Sequence, residues 1–319
     1  MSQHSVVVDL GGTRVRVALA GTDLDLHERR EERTFHGRSA PGVIDQIVRM
    51  ADETLGAAGR GWLDIAAMAV ASPGPLDPAT GMVYHPPNMP GWGEVPLGPE
   101  LTARTGVPVV LINDANAAAL GEFHSGAGRG TRNLVYLTVS TGIGGGVIVD
   151  GRLMEGSSGS AAEIGHHTVD RHGPPCPCGS VGCLEAIASG PSIALRVRQR
   201  LAAGADSILA GGEAERITAA DVARAAAEGD HLASDVWGDS MQALGFGVIN
   251  CIHIFNPDVI VLGGGVTAAG PQLFDPVMHL VDRHALAVPR AAVRIVPAAL
   301  GEDAGLTGAA AAAAGSTTR

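Results

Sequence analysis

Short aliphatic runs punctuated by glycine and proline divide the chain into strands, and longer runs with apolar residues every third or fourth position divide it into helices. Val6 to Leu10 and Val15 to Ala20 read as strands joined by Gly11-Gly12-Thr13, an antiparallel hairpin, and Arg30 to Phe35 is expected to add a third strand. Val43 to Ala58 has helical periodicity, Ile65 to Ala71 is a buried strand, and Ser72 to Gly93 is a long Pro/Gly loop. Val107 to Ile112 is another buried strand, running through Asn113-Asp114 into an alanine-rich helix that ends near Glu122.

The hairpin theme then returns. Leu134 to Val139 predicts a strand, Ser140 to Gly146 a glycine-rich turn, and Val147 to Val149 the return strand. Helices are expected near Ser192 to Leu201, Thr218 to Glu228, His231 to Phe255 and Ala304 to Ala314. A strand at Val259 to Leu262 ends in Gly263-Gly264-Gly265. Two strand–turn–strand hairpins, one near the start of each half, suggest a duplicated α/β unit.

Composition narrows the function. At 319 residues the chain is long enough for two cores, and 45% hydrophobic residues with ordinary charge content mean a folded protein. Net charge is −11 and the 22 basic residues are scattered, so there is no footprint for nucleic acid. No apolar run approaches the roughly 20 residues of a membrane span. The opening M-S-Q-H-S lacks the basic and apolar regions of a signal peptide, so a cytoplasmic location is expected. Every basic residue is arginine. Without lysine there is no P-loop, no protein-kinase strand lysine and no pyridoxal Schiff base, and bound phosphate must be met by backbone N–H groups, arginine or metal.

The glycine turns supply such N–H groups. The first offers Asp9, Gly11, Gly12 and Thr13. The second offers Thr138, Ser140, Thr141, Gly142 and Gly144 to Gly146. Successive N–H groups in a turn form an anion nest, and glycine lets backbone approach phosphate closely. Asp9 beside a nest would repel phosphate unless a divalent cation lay between them, which suits magnesium. Each turn alone is more often only a hairpin; together, with Gly263 to Gly265, they favour a nucleotide. A dinucleotide fingerprint at Gly263 to Ala268 fails on context, because Asp282 falls in a predicted helix before Val293 to Val296 rather than at the end of the next strand.

Asp114 is the candidate for chemistry. It stands where a buried strand passes into a helix, a position that serves ligand contact or simple helix capping. The phosphate nests favour the former, since a kinase needs a carboxylate to accept the hydroxyl proton.

Cys176, Cys178 and Cys183, with His166, His167 or His172, form a cluster with the donor set of a closed tetrahedral zinc site. A disulfide framework is a poor alternative, because Cys176 and Cys178 are too close to bridge easily and a reducing compartment is expected. Glu163 and Glu185 bracket the cluster, so a metal there would fix loops carrying two carboxylates. Cys251, in an apolar helical stretch, is expected to be buried and inert.

In order along the chain stand D-L-G-G-T from Asp9, S-P-G-P-L-D-P from Ser72, P-P-N-M-P-G-W from Pro86, N-D-A-N-A-A-A-L-G-E from Asn113, S-T-G-I-G-G-G from Ser140, E-I-G-H from Glu163, C-x-C-G-x-x-G-C-L-E from Cys176 and G-G-G-V from Gly263. Together they resemble the ROK family of sugar kinases, in its bacterial glucokinase branch, over nearly the whole chain. The cysteine segment is the most specific of these motifs, and E-x-G-H designates His166 as the histidine.

The resemblance implies an α/β, two-lobed actin-like (ribonuclease-H-like) ATPase fold with a small zinc-bound loop lobe. Residues 1–115, joined by a C-terminal helix over 304–319, would form one lobe, and 116–303, with the zinc segment 163–185, the other. It implies Asp114 as catalytic base; Gly74, Asn88, Asn113, Asp114, Glu163, His166 and Glu185 around a sugar; and Asp9, Gly11, Gly12, Thr13, Thr141, Gly142, Gly264 and Gly265 around ATP and Mg²⁺. Structural Zn²⁺ would be held by His166, Cys176, Cys178 and Cys183. The implied reaction moves the ATP γ-phosphoryl group to the 6-hydroxyl of glucose, in a homodimer or homotetramer, without nucleic-acid or membrane partners. Another sugar, such as N-acetylmannosamine or fructose, or a non-catalytic sugar sensor, are the rivals. A family repressor would carry a helix-turn-helix unit before Asp9, and none is expected here. Loss of zinc is expected to damage the sugar side, and the ATP side, built from distant glycine turns, less.

Overall fold

The computed structural model describes residues 4–35, 37 and 39–316. Its strands are β1 (His4–Leu10), β2 (Arg14–Ala20), β3 (Leu26–Arg33), β4 (Ile65–Ser72), β5 (Leu76–Asp77), β6 (Met82–Tyr84), β7 (Glu94–Val95), β8 (Val109–Asn113), β9 (Leu134–Val139), β10 (Ile143–Val149), β11 (Arg152–Leu153), β12 (Val259–Gly263) and β13 (Arg294–Pro297). The helices are α1 (Ala40–Ala57), α2 (Leu97–Thr105), α3 (Asp114–Ser125), α4 (Leu184–Ala188), α5 (Gly190–Ala202), α6 (Ala219–Ala227), α7 (His231–Phe255), α8 (Pro271–His284), α9 (Ala287–Ala292) and α10 (Ala304–Ser316).

Two five-stranded sheets share one plan. The first runs β3-β2-β1-β4-β8 and the second β11-β10-β9-β12-β13. In each, an antiparallel meander of three strands is followed by two strands parallel to its first member. The duplicated unit expected from the repeated hairpins is therefore present, in the α/β class. β1, β4, β9 and β12 are aliphatic because both faces of each sheet are covered. α1 packs on the first sheet through Val43, Ile44, Ile47, Met50, Ala51 and Leu55, a 3.6-residue stripe. α7 crosses the second core with Val236, Met241, Leu244, Val248 and Ile252 buried. No described helix is long and apolar enough to cross a membrane.

Several boundaries differ from expectation. β3 begins at Leu26 and ends at Arg33, because its register is set by pairing with β2, from Ala20↔Leu26 to Arg14↔Arg33, rather than by its own polar sequence. The Ser72–Gly93 loop contains β5 and β6, which form a three-stranded sheet with β7, and α2 follows it. The largest correction concerns the second glycine turn. Only residues 140–142 turn, and Gly144, Gly145 and Gly146 are inside β10. Their glycine character serves packing on both faces of the strand. A methyl group on Gly144 would lie 3.0 Å from Ala115 Cβ and one on Gly146 2.6 Å from Ala119 Cβ, both on α3. On the opposite face, one on Gly145 would lie 2.7 Å from the Ala162 carbonyl oxygen. Removing every Cβ lets α3 and the 162–164 loop close on the strand.

α3 passes from the end of the first sheet to the second, and α10 returns across it to pack on β1 and β4. The expected C-terminal helix is thus present to Ser316; residues 317–319 lie outside the described residues, as do 1–3. The two helices cross almost backbone to backbone. A methyl group on Gly308 would lie 1.6 Å from the Ala117 carbonyl oxygen, and one on Gly121 2.4 Å from that of Ala304. At the far end of α3, the fully buried carboxylate of Glu122 accepts N–H bonds from Ala127 (2.8 Å), Ala299 (2.9 Å) and Leu300 (2.8 Å). Three charge-assisted bonds offset the cost of burying that charge and fasten the chain entering α10 to the end of α3.

Gly308→Ala is expected to destabilise the protein by about 3 kcal/mol, since a backbone carbonyl cannot yield to the new methyl group. Gly238→Ala, on an exposed turn of α7 with nothing within 4 Å of the new atom, is expected to stabilise by about 0.5–1 kcal/mol. Denaturant unfolding of both variants, with equal m-values, checks the pair.

Candidate active site and metal centre

β8 delivers Asn113 and Asp114 to the point where α3 begins. Asn113 is the helix N-cap, its Oδ1 accepting N–H bonds from Ala115 (3.0 Å) and Asn116 (3.2 Å). That capping role, considered for Asp114 from sequence, belongs to its neighbour. Asp114 is the first helical residue, and its Oδ1 takes a bond from the Ala115 N–H (2.8 Å). Burial pushes its carboxyl up to about 6, the Ala115 N–H pulls it down, and the charges of Asp9 and Glu163 raise it further. The charges of Asp9 and Glu163, from two other parts of the chain, are thus felt at Asp114.

Glu163 follows Ala162, a non-glycine residue in the left-handed region (φ 65°), and precedes a single helical turn, Ile164–His166. Its carboxyl is raised by desolvation, lowered by His166 and raised by Glu185. These three side chains thus form one group. Gly74 lies against Asn113, whose Nδ2 would be 3.3 Å from a methyl group there. Asn88 lies against Gly12, whose added methyl would fall 2.5 Å from the Asn88 carbonyl oxygen. Of the residues expected around a sugar, Gly74 thus adjoins Asn113, while Asn88 adjoins the first glycine turn.

On the other side, the first turn holds its shape through the Gly11 N–H to Arg14 carbonyl bond (2.8 Å) and Thr34 Oγ1 to the Gly11 carbonyl (2.6 Å). Asp9 is ion-paired with Arg16 at 3.0 Å, and burial raises its carboxyl while Arg16 lowers it. The second turn is closed by Ser140 N–H to the Gly142 carbonyl (2.8 Å), and Gly264, with φ 90°, rests on Val139, 2.4 Å separating an added methyl from the Val139 oxygen. Ser140, Thr141 and Gly265 line a cavity of about 770 Å³, whose remaining wall is mainly apolar, with Pro191, Ala194, Ile217, Ala223 and Val266, but also carries Arg198 and Arg224. These wall residues were not foreseen. In sequence they are ordinary helix-face alanines and aliphatics, and nothing separates a face lining a slot from one lining the core.

The metal cluster is brought together as expected. One ligand atom from each of His166, Cys176, Cys178 and Cys183 lies within 4.8 Å of the others. His166 Nδ1 is 3.7 Å from Cys176 Sγ, and Cys178 Sγ is 3.6 Å from Cys183 Sγ. A tetrahedron with Zn–S bonds of about 2.3 Å and Zn–N bonds of about 2.0 Å has edges of roughly 3.5–3.8 Å. The donors therefore fit zinc in type and spacing. A tight hairpin sets them there: Cys176 N–H bonds to the Ser180 carbonyl (2.8 Å) and Gly182 N–H to that of Pro174 (2.8 Å). His167 is engaged elsewhere, its Nδ1 on the Ile164 carbonyl oxygen, and Cys251 is 2% exposed inside α7.

One expectation fails geometrically. The second glycine turn is not distant from the metal segment. Cys183 is the N-cap of α4, Glu185 lies in the first turn of that helix, and Glu185 Oε2 accepts the N–H of Ile143 (2.8 Å) immediately after the turn.

A model of the ROK family matches residues 5–315. The chain is 39% identical to the glucokinase of Thermotoga maritima over 95% of both chains. Its structure is similar to a ROK hexokinase from Thermus thermophilus (TM-score 0.83, 32% identity, 99% of each chain). It is similar also to a ROK family glucokinase from Streptomyces griseus in complex with glucose and AMPPNP (TM-score 0.79, 32% identity, 97% of this chain and 98% of that one). With matching motifs, a matching fold and a match along nearly its full length, the chain belongs to the ROK family.

Proposed function

We propose that the protein is an ATP-dependent glucokinase, with Asp114 as the catalytic base. The observation that supports the mechanism is the setting of Asp114: a buried carboxyl at the start of α3, raised to about 6 by burial and by the charges of Asp9 and Glu163. The choice of glucose is supported by the names of the Thermotoga and Streptomyces relatives.

The sugar lies against Asn113, Glu163, His166 and Glu185, with Gly74 and Asn88 at its rim, so that its 6-hydroxyl meets Asp114. The nucleotide base enters the apolar slot, and its phosphates lie between the Gly11-Gly12-Thr13 and Thr141-Gly142 turns, near Gly264 and Gly265. Asp114 accepts the hydroxyl proton as the sugar oxygen bonds to the γ-phosphorus, and the bond from that phosphorus to the β,γ-bridging oxygen breaks to release ADP. Asp9 suits magnesium, since a single carboxylate with one oxygen free of Arg16 matches a cation held mainly by phosphates and water, which neutralises phosphate charge when bound. His166 presents Nδ1 to the cysteine cluster, leaving its other ring nitrogen for the sugar. Four protein ligands leave zinc no open position, so its part is to hold the loop. The lobes formed by residues 1–115 with the C-terminal helix, and by 116–303, close over both substrates and exclude water. A coupled assay across hexoses and phosphate donors tests the function: glucose with ATP should give the highest kcat/KM, and inactivity toward every hexose would overturn it.

Asp114→Asn should cut kcat by about 10² to 10⁴ while glucose affinity stays within a few-fold, because the amide keeps the shape but cannot take a proton. In the native protein kcat/KM should fall as pH drops through about 6, where the raised carboxyl becomes protonated. A pH–rate profile lacking that limb removes Asp114 as the base.

Asp9→Asn should raise the magnesium concentration needed for half-maximal activity by about tenfold, with little change in glucose affinity; magnesium titrations at fixed nucleotide decide it. Cys178→Ser should lose zinc and glucose affinity together, because metal binding contributes directly to order in the loop. Elemental analysis with glucose calorimetry checks this. A zinc-free variant with normal glucose binding would show that the metal does not organise the sugar side.

A further inference from the structure

The segment 140–143 is fastened to α4 and α5 at two points. The Gly190 N–H donates to the Ser140 carbonyl (2.9 Å), and the Ile143 N–H donates to Glu185 Oε2 (2.8 Å). The carboxylate also lies flat against the turn, since a methyl group on Gly142 would be 2.5 Å from the same Oε2. Glu185 is itself held: its carbonyl accepts from the Ser189 N–H (3.1 Å) and from Ser192 Oγ (2.9 Å), while Cys183, of the four-donor cluster, stands two residues before it. Its remaining oxygen, Oε1, takes no hydrogen bond among the described residues, and its charge is felt by Glu163.

One carboxylate thus has one oxygen committed to the turn at residues 140–142 and the other without a hydrogen bond among the described residues. We propose that Glu185 is a positioning residue for the nucleotide: it holds the Thr141-Gly142 turn in its phosphate-receiving shape and couples sugar occupancy to nucleotide affinity. A sugar hydroxyl on Oε1 immobilises the carboxylate, which fixes the Ile143 N–H and the turn ahead of it. The next ligand then meets a turn already ordered. By linkage the effect is reciprocal, with nucleotide tightening sugar by the same factor.

The proposal rests on the assignment of Glu185 to the sugar and of residues 141–142 to the phosphates. Calorimetry distinguishes the two levels, using the zinc-loaded full chain, glucose, and magnesium with a non-hydrolysable ATP analogue, each titrated with and without the other. The wild type should show a coupling factor of about fivefold or more. Glu185→Ala should weaken the analogue about three- to tenfold even without glucose, and its coupling factor should fall to about one. Glu185→Gln keeps one acceptor for the Ile143 N–H, so analogue affinity without glucose should return to within about twofold of wild type while glucose remains weakened. Zinc content equal to wild type in both variants guards against misfolding, and the glutamine variant carries the test if the alanine variant does not fold. A wild-type coupling factor of one, or a Glu185→Ala protein that loses glucose affinity but keeps analogue affinity and coupling, would overturn the strut while leaving the sugar assignment standing. Unaltered glucose affinity in Glu185→Ala would instead overturn the sugar assignment, and with it the coupling.

Discussion

The structure depends on how closely α3 can be approached. One of its flanks takes α10 with Gly308 on the Ala117 carbonyl, and another takes β10 with Gly144 and Gly146 against Ala115 and Ala119. Nothing larger than an alanine methyl intervenes at these points, so α3 is packed nearly backbone to backbone and has little room to shift. The consequence for chemistry is positional. Asp114 starts that helix and inherits its rigidity, while Glu122 near the other end binds two backbone N–H groups before α10 and one just after α3. Under the proposed mechanism, a base that must stand within hydrogen-bond reach of one hydroxyl is thus carried on a closely packed helix rather than on a loop.

The opposite solution is used for the residues proposed to meet the sugar. Glu163, His166 and Glu185 belong to a segment made of short turns, a hairpin and the five-residue α4, with little apolar mass of its own. There the four-donor cluster, with a metal bound as proposed, would substitute for a core. The Ile143 N–H bond to Glu185 extends that order to the turn at residues 140–142, so that the metal segment and the second glycine turn form a continuous structure.

Much of this was legible in the sequence, for definable reasons. Buried strands such as Val6 to Leu10 and Val259 to Leu262 announce themselves by aliphatic runs, and the cysteine cluster by the rarity and spacing of its donors. Asn113-Asp114 stood out as the junction of a strand and a helix, although which residue capped the helix was decided only by the side-chain rotation that gives Asn113 two N–H bonds. What stayed hidden depended on partners remote in sequence. Gly144 to Gly146 looked like a turn because sequence does not show that α3 presses on one face of that strand and residues 162–164 on the other. Glu122 looked like a helix end, with its partners Ala299 and Leu300 far along the chain. The apolar slot beside Thr141 was invisible for the same reason, since Ala194 and Ala223 resemble core alanines until the space between their helices is seen.

The central claim is that the α3 N-terminus presents a carboxylate to the hydroxyl that becomes phosphorylated. A crystal structure of the zinc-loaded protein with glucose and a non-hydrolysable ATP analogue measures it directly. An Asp114 carboxylate oxygen should lie about 2.6–3.2 Å from the glucose 6-oxygen, with that oxygen facing the γ-phosphorus. A glucose bound with its 6-hydroxyl turned away from Asp114, or with another hydroxyl in line with the γ-phosphorus, would contradict the account.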